Sequence, residues 1–317
     1  MTLASFLKLV EIQTKVASMI PFFLGTFYAL YRFERFNLTN FVLMFLSLLT
    51  FDMTTTALNN YMDYKRAVKT QGYGYESHNA IVSYKLKEGA VIATIILLLT
   101  IATTAGVFLF LNTGLVVLLL GAISFGIGIL YSYGPVPISW TPLGEFFSGL
   151  IMGFIITFIA AYIHVIELNI LDINIIGLVI NININAMEII NIILVSLPAI
   201  VGIANIMLAN NICDIDDDIV NKRYTLPIYI GKEAALKLFA LLYYIGFAAI
   251  VTAIAVGAIP IVSVIALITF VPVSRNIKMF RQVQTKKDTF VLAVKNFVLM
   301  NTVLALSIGL GVIFRVI

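Results

Sequence analysis

The sequence predicts an all-α membrane protein of nine spans, and three observations predict it. Apolar residues make up 61% of the 317-residue chain and charged residues only 11%, and the mean hydropathy is +1.04. Such a composition belongs to lipid rather than to a water-soluble core. Nine apolar stretches of spanning length follow one another at roughly 15–34, 38–61, 89–111, 114–133, 143–164, 188–211, 233–256, 258–274 and 291–315, each long enough to cross about 30 Å of hydrocarbon. The eighth is the shortest. Of the 20 Lys and Arg, 17 fall in the N-terminal segment and in the second, sixth and eighth loops. The positive-inside rule then places the N-terminus and those loops in the cytoplasm and the C-terminus outside, and dropping one span would scatter the basic residues over both sides.

Residues 2–12 read as an interfacial helix leading into the first span, because no small-residue cleavage site follows the apolar stretch. The Ile/Asn-biased segment from about 165 to 187 carries no Lys or Arg. Its Asn residues recur too often for hydrocarbon, so it reads as an outer loop rather than a tenth span. The whole chain, 1–317, reads as a single domain. Its net charge of +4 is explained by basic loops beside an anionic leaflet, and no nucleic-acid partner or obligatory protein partner is indicated. The lone Cys213 has no intrachain disulfide partner and suits a buried small residue. His78 and His164 fall on opposite sides of the membrane and so share no metal.

Chemistry concentrates at the ends of the second and sixth spans, both on the cytoplasmic side. Asn59 and Asp63 stand i, i+4 in TALNNYMDYKR, and Asp214 and Asp218 have the same spacing in NNICDIDDDIVNKRYTLP. On a continuous helix, that spacing puts both side chains on one face. Four carboxylates at Asp214, Asp216, Asp217 and Asp218 repel one another unless cations bind. Magnesium fits, since it takes oxygen ligands and is commonly shared between one or two carboxylates and a phosphate. Lys65 and Arg66 beside the first cluster, and Lys222 and Arg223 beside the second, complete a diphosphate clamp. Neither a calcium-binding loop nor a GxxxxGK[ST] phosphate loop is present. Asp52 lies deeper in the second span, where an unpaired charge costs about 3 kcal/mol or more. It either serves a function or bonds a neighbouring helix while protonated, and it is the one acid placed as a transporter's coupling acid would be.

These residues resemble the UbiA superfamily of intramembrane prenyltransferases, and within it the subgroup that acts on 1,4-dihydroxy-2-naphthoate in menaquinone synthesis. Three blocks carry the resemblance: Asn59-x-x-x-Asp63 with Tyr64-Lys65-Arg66; Tyr131-Ser132-x-Gly134-Pro135-x-Pro137 with Leu143-Gly144-Glu145; and Asn210-Asn211-x-x-Asp214-x-x-x-Asp218 with Arg223-x-Thr225-Leu226 and Gly231. The resemblance implies a bundle of nine helices around a central cavity open to the cytoplasm and to lipid. It also implies Mg2+ as cofactor, a polyprenyl diphosphate and the naphthoate as substrates, and demethylmenaquinone, CO2 and diphosphate as products. Asn59, Asp63, Asp214 and Asp218 would hold metal; Lys65, Arg66, Lys222 and Arg223 would contact diphosphate. Tyr131 would join Asp63, Asp214 and Asp218 as a catalytic group by steadying the allylic cation or orienting the diphosphate, and Tyr133 is a second aromatic candidate for either role; both tyrosines read equally as an interfacial belt. Glu145 reads as a helix N-terminal charge favoured by the dipole. The subgroup usually has Asn at Thr56 and Asp at Asn60, and several other subgroups have an acid at Ala67. A different aromatic acceptor therefore stands as the alternative, with a polytopic transporter behind it.

Overall fold

The computed structural model describes residues 1–66 and 79–316; Ala67, Lys69 and His78 lie outside them. A short helix α1 (Leu3–Leu9) is capped by Thr2, whose hydroxyl accepts the Ser5 N–H, the usual device for satisfying a first-turn donor. A 3-10 turn at Ile12–Lys15 then leads into α2 (Val16–Phe33). The chain next forms α3 (Leu38–Arg66), the short α4 (Ala80–Ser83), α5 (Glu88–Thr113) and α6 (Leu115–Ser132). A composite helix, α7 (Gly144–Tyr162), contains a π-helical stretch at Gly149–Ile155. After it come α8 (Ala186–Cys213), α9 (Ile215–Val220), α10 (Leu226–Ile230), α11 (Lys232–Ala255), α12 (Ile261–Gln282) and α13 (Phe290–Val316). Among the described residues nine helices are long and apolar enough to span a membrane.

Two segments differ from expectation. Leu171–Ile176 (β1) and Val179–Ile184 (β2) pair antiparallel as a hairpin. The Asn residues that exclude a span here alternate with Ile at period two, the strand period, and Gly177 turns the chain at φ +61°. The eighth span runs on to Gln282, its first nine residues wound as a 3-10 helix. Pro272 sits in the first turn of the α-helical part, where its missing N–H is tolerated.

Successive spans cross in opposite directions, so one end of the bundle collects the C-terminal ends of α3, α6, α8 and α12 with the N-terminal ends of α2, α5, α7, α11 and α13. Both acid clusters and α1 lie at this end, and the β-hairpin at the other. His164, at the hairpin end, accepts the Asn37 N–H through Nδ1 at 3.0 Å; burial lowers its pKa to about 4, so the ring is neutral at physiological pH.

The core is one large cluster packed chiefly from α2, α7, α8, α11, α12 and α13, with a smaller one joining α1, α3, α4 and α5. Between α3, α5, α6 and α7 lies an apolar cavity of about 210 Å³, lined by Met44, Leu48, Gly106, Gly121, Phe125 and Ile159 among others. Phe125 stacks on Phe51 with ring centroids 3.7 Å apart.

Close approach of backbones fixes where α7 meets α8. A Cβ at Gly153 would sit 2.5 Å from Ile200 Cα, and one at Gly149 would sit 2.8 Å from the Ile200 carbonyl oxygen. Only Gly allows that separation. Gly153→Ala must therefore push the two helices apart, and overpacking of this kind costs about 1–3 kcal/mol; the expected result is a lowered melting temperature in detergent, measured by scanning fluorimetry against wild type.

Candidate active site

The first cluster stands on unbroken helix, since α3 continues to Arg66 and carries Asn59 and Asp63 a turn apart. Asn59 Oδ1 is buried and has no hydrogen-bond partner. Its neighbour Asn60 is already bonded. Its amide donates to the Leu9 carbonyl at 3.1 Å, to Glu11 Oε1 at 3.1 Å and to the Thr56 carbonyl at 3.3 Å, tying α1 to α3. An Asp here would present acceptors to acceptors. Lys65 reaches Glu88 of α5 at 2.6 Å, and Tyr61 donates to the same Glu88 oxygen at 2.6 Å. Arg66 closes the helix, its side chain outside what the structure describes.

Below this cluster, toward the membrane interior, Asp52 is paired with a cation. Lys15 Nζ donates to Asp52 Oδ1 at 2.5 Å, to the Asp52 carbonyl at 3.1 Å and to Thr56 Oγ1 at 2.7 Å, which uses all three ammonium hydrogens. Ser18 Oγ donates to Asp52 Oδ2 at 2.5 Å. The deep acid is thus half of a buried ion pair joining the start of α2 to α3, and Thr56 is part of the same structure.

The second cluster is interrupted. Asp214 ends α8 and begins α9 with φ −106° and ψ 9°, yet the Asp218 N–H still bonds the Asp214 carbonyl at 2.7 Å, so the one-turn spacing survives. Asp214 Oδ2 meets Lys286 Nζ at 2.6 Å, and the same ammonium donates to Asn210 Oδ1 at 2.7 Å. Lys286, from the loop before α13, reads in the sequence only as a topology charge; 72 residues separate it from Asp214, and no local pattern announces the contact. Asp218 is buried and accepts the Thr225 hydroxyl at 3.2 Å. Burial pushes its carboxyl above the usual aspartate range; Thr225 opposes the shift, Asp214 adds to it, and Arg223 and Lys286 oppose it again.

Arg223 is drawn in by its backbone, whose N–H bonds the Asp218 carbonyl at 2.8 Å. Its guanidinium lies over the Trp140 ring, 5.0 Å from the centroid, and its Nε is buried without a partner. Lys222 is exposed at a left-handed φ of 55°. Glu145, in the first turn of α7, is 5% exposed; its Oε1 accepts from Asn211 Nδ2 at 2.8 Å, while Oε2 is unpartnered. Tyr131, at the end of α6, places its hydroxyl 3.5 Å from the Gly144 carbonyl. Tyr133 is exposed. Residues of the second cluster, Glu145 and Tyr131 thus come together. Asn59 and Asp63 stand on α3, at the same end of the bundle.

Among the described residues no three His, Cys, Asp or Glu side chains converge on one point, so neither cluster closes a metal cage by itself. The donor set is nonetheless one of hard oxygens, and one of them, Asn59 Oδ1, is buried and unsatisfied. Oxygen donors in ones and twos suit an ion that completes its shell with water and phosphate.

The chain is similar to known proteins over most of its length. The chain is similar to the 1,4-dihydroxy-2-naphthoate octaprenyltransferase of Bacillus subtilis (strain 168), with 30% identity over 249 residues, 78% of this chain and 72% of that protein. Among solved structures it is similar to the apo form of a UbiA homolog from Aeropyrum pernix K1, at 16% identity and a TM-score of 0.68 over 96% of this chain and 99% of that one. It is also similar to a UbiA homolog from Archaeoglobus fulgidus bound to DMAPP and Mg2+, at 15% identity and a TM-score of 0.64 over 98% and 99%. The pattern of the UbiA prenyltransferase family matches residues 18–304, and the chain belongs to that family.

Proposed function

We propose that this protein transfers a polyprenyl group from a polyprenyl diphosphate to 1,4-dihydroxy-2-naphthoate, releasing diphosphate and CO2 and yielding demethylmenaquinone. The observation that carries the reading is the pairing of two acid clusters at one end of a lipid-embedded bundle in a chain 30% identical to a naphthoate prenyltransferase. Asn59, Asp63, Asp214 and Asp218 are assigned as the metal-holding residues. Bound Mg2+ would offset the charge of the departing diphosphate.

This chain's own groups supply the rest. Arg223, steered by Asp218 and Trp140, offers an unpartnered N–H to a diphosphate oxygen. Lys222 stands beside it, with Lys65 and Arg66 next to the first cluster. Lys286 neutralises Asp214 until a cation takes its place. Tyr131 borders the site with a π face suited to a developing cation. The apolar cavity begins near Leu48, eleven residues or about 16 Å along α3 from Asn59, and offers the prenyl chain a place away from water. The membrane end bearing the clusters is assigned to the cytoplasm from its basic loops.

The alternative acceptor rested on Thr56 and Asn60. Both are occupied in holding α1 and α2 against α3, so those departures from the subgroup pattern leave the proposed metal ligands unchanged, which favours naphthoate. Transport rested on Asp52, which Lys15 and Ser18 already satisfy.

The test is prenyl transfer by purified protein with a polyprenyl diphosphate, Mg2+ and the naphthoate. Demethylmenaquinone should form with wild type and fall at least about 100-fold in Asp63→Ala and in Asp214→Ala; pyrophosphate released only with another aromatic acceptor would overturn the naphthoate assignment. A second expectation concerns pH. With its folded pKa raised, metal-free Asp218 contributes stability below the unfolded aspartate pKa of about 3.9, and that contribution is lost as pH rises through the folded value. A cation bound there acts in the opposite direction. The rise in melting temperature on adding Mg2+ should therefore grow as pH increases through that window in wild type, and grow less steeply in Asp218→Asn.

A further inference from the structure

Glu145 is an acidic side chain for which the fold provides half of what it needs. It is 5% exposed, and none of the ion pairs among the described residues includes it. Asn211 holds Oε1 at 2.8 Å, and Oε2 is left buried with no donor. An unsatisfied carboxylate oxygen in such surroundings is costly. The position is also central: α6 brings Tyr131 to the adjoining Gly144 carbonyl, α8 brings Asn211, and Asp218 lies within electrostatic reach. A helix-dipole charge would be served equally well on the exposed side of the first turn, so the dipole does not explain the burial.

Resting on the prenyltransferase reading, we propose that Glu145 Oε2 receives a hydrogen bond from a ring hydroxyl of the aromatic acceptor, and so sets which ring carbon faces the prenyl group. In the ionised state, which this role requires of Glu145, a carboxylate oxygen only accepts. The ligand group that satisfies it must therefore donate, and it must not be anionic, which selects a hydroxyl over the acceptor's own carboxylate. The acceptor class is accordingly a phenol or hydroquinone, turned with its hydroxyl toward α7 and its acid group elsewhere. A site built to bind a hydroxyl rejects analogues that lack it, because its own polar group is then left unpaired.

Glu145→Gln separates this role from bracing. Its side-chain oxygen keeps the Asn211 contact while the other position becomes an N–H donor. Steady-state kinetics of the full chain with prenyl diphosphate, Mg2+ and 1,4-dihydroxy-2-naphthoate should show KM for the naphthoate raised at least about ten-fold. KM for the prenyl diphosphate, the Mg2+ requirement and the melting temperature should stay near wild type. Wild type alone gives an independent readout, since methoxy analogues capping either hydroxyl in turn should reveal one position at which capping costs at least about ten-fold in kcat/KM. An unchanged naphthoate KM in folded Glu145→Gln, equal tolerance of both methoxy analogues by wild type, or a change confined to the Mg2+ requirement would overturn the proposal. Wild type that transfers no prenyl group to any acceptor would instead bring down the function on which it rests.

Discussion

Everything in this bundle is governed by the cost of an unsatisfied polar group where water is scarce. Where the chain supplies the partner, the group is structural. Lys15, Asp52, Ser18 and Thr56 saturate one another, and Asn60 spends its amide on α1. Asn205 and Asn301 likewise give their N–H groups to the Phe239 and Pro198 carbonyls of neighbouring helices, each leaving only its amide oxygen unpartnered. At the cluster-bearing end the chain stops supplying partners. Asn59 Oδ1, Glu145 Oε2 and Arg223 Nε remain open, two acceptors and one donor, which is the complement of cation, hydroxyl and phosphate.

Packing decides where those open groups stand. The backbone contact of Gly149 and Gly153 with Ile200 sets α7 close against α8, and this closeness lets Glu145 reach Asn211. The π-helical turn in the same stretch belongs to a class of irregularity that recurs at functional sites. The ion pair of Lys15 and Asp52 does the corresponding work on the other side by fixing α2 to α3 beneath Asn59. Rigid supports thus surround oxygen donors that are themselves incompletely bonded.

Much of this was legible in the sequence, and the reasons differ by element. Nine spans follow from hydropathy because the bilayer imposes length directly. The i, i+4 acid pairs are readable because helix geometry converts spacing into facing. The hairpin escaped a compositional reading that counted its Asn residues without their alternation. Asp52 with Lys15 and Asp214 with Lys286 are pairs between distant segments, and both lysines also satisfy the positive-inside pattern, so their second role leaves no local trace. Glu145 could be seen at a helix start, but its burial depends on how closely α7 approaches α8.

The central claim is that two incomplete oxygen clusters become one site when metal and diphosphate bind between them. A structure of the full protein with Mn2+ and an unreactive prenyl thiodiphosphate, with the metals located by anomalous scattering, tests it most directly. The account predicts metal within about 2.3 Å of oxygens from both the Asn59 and Asp63 pair and the Asp214 and Asp218 pair, with one diphosphate between them. Metal and diphosphate bound by a single cluster, with Asn59 Oδ1 still unpartnered, would contradict it.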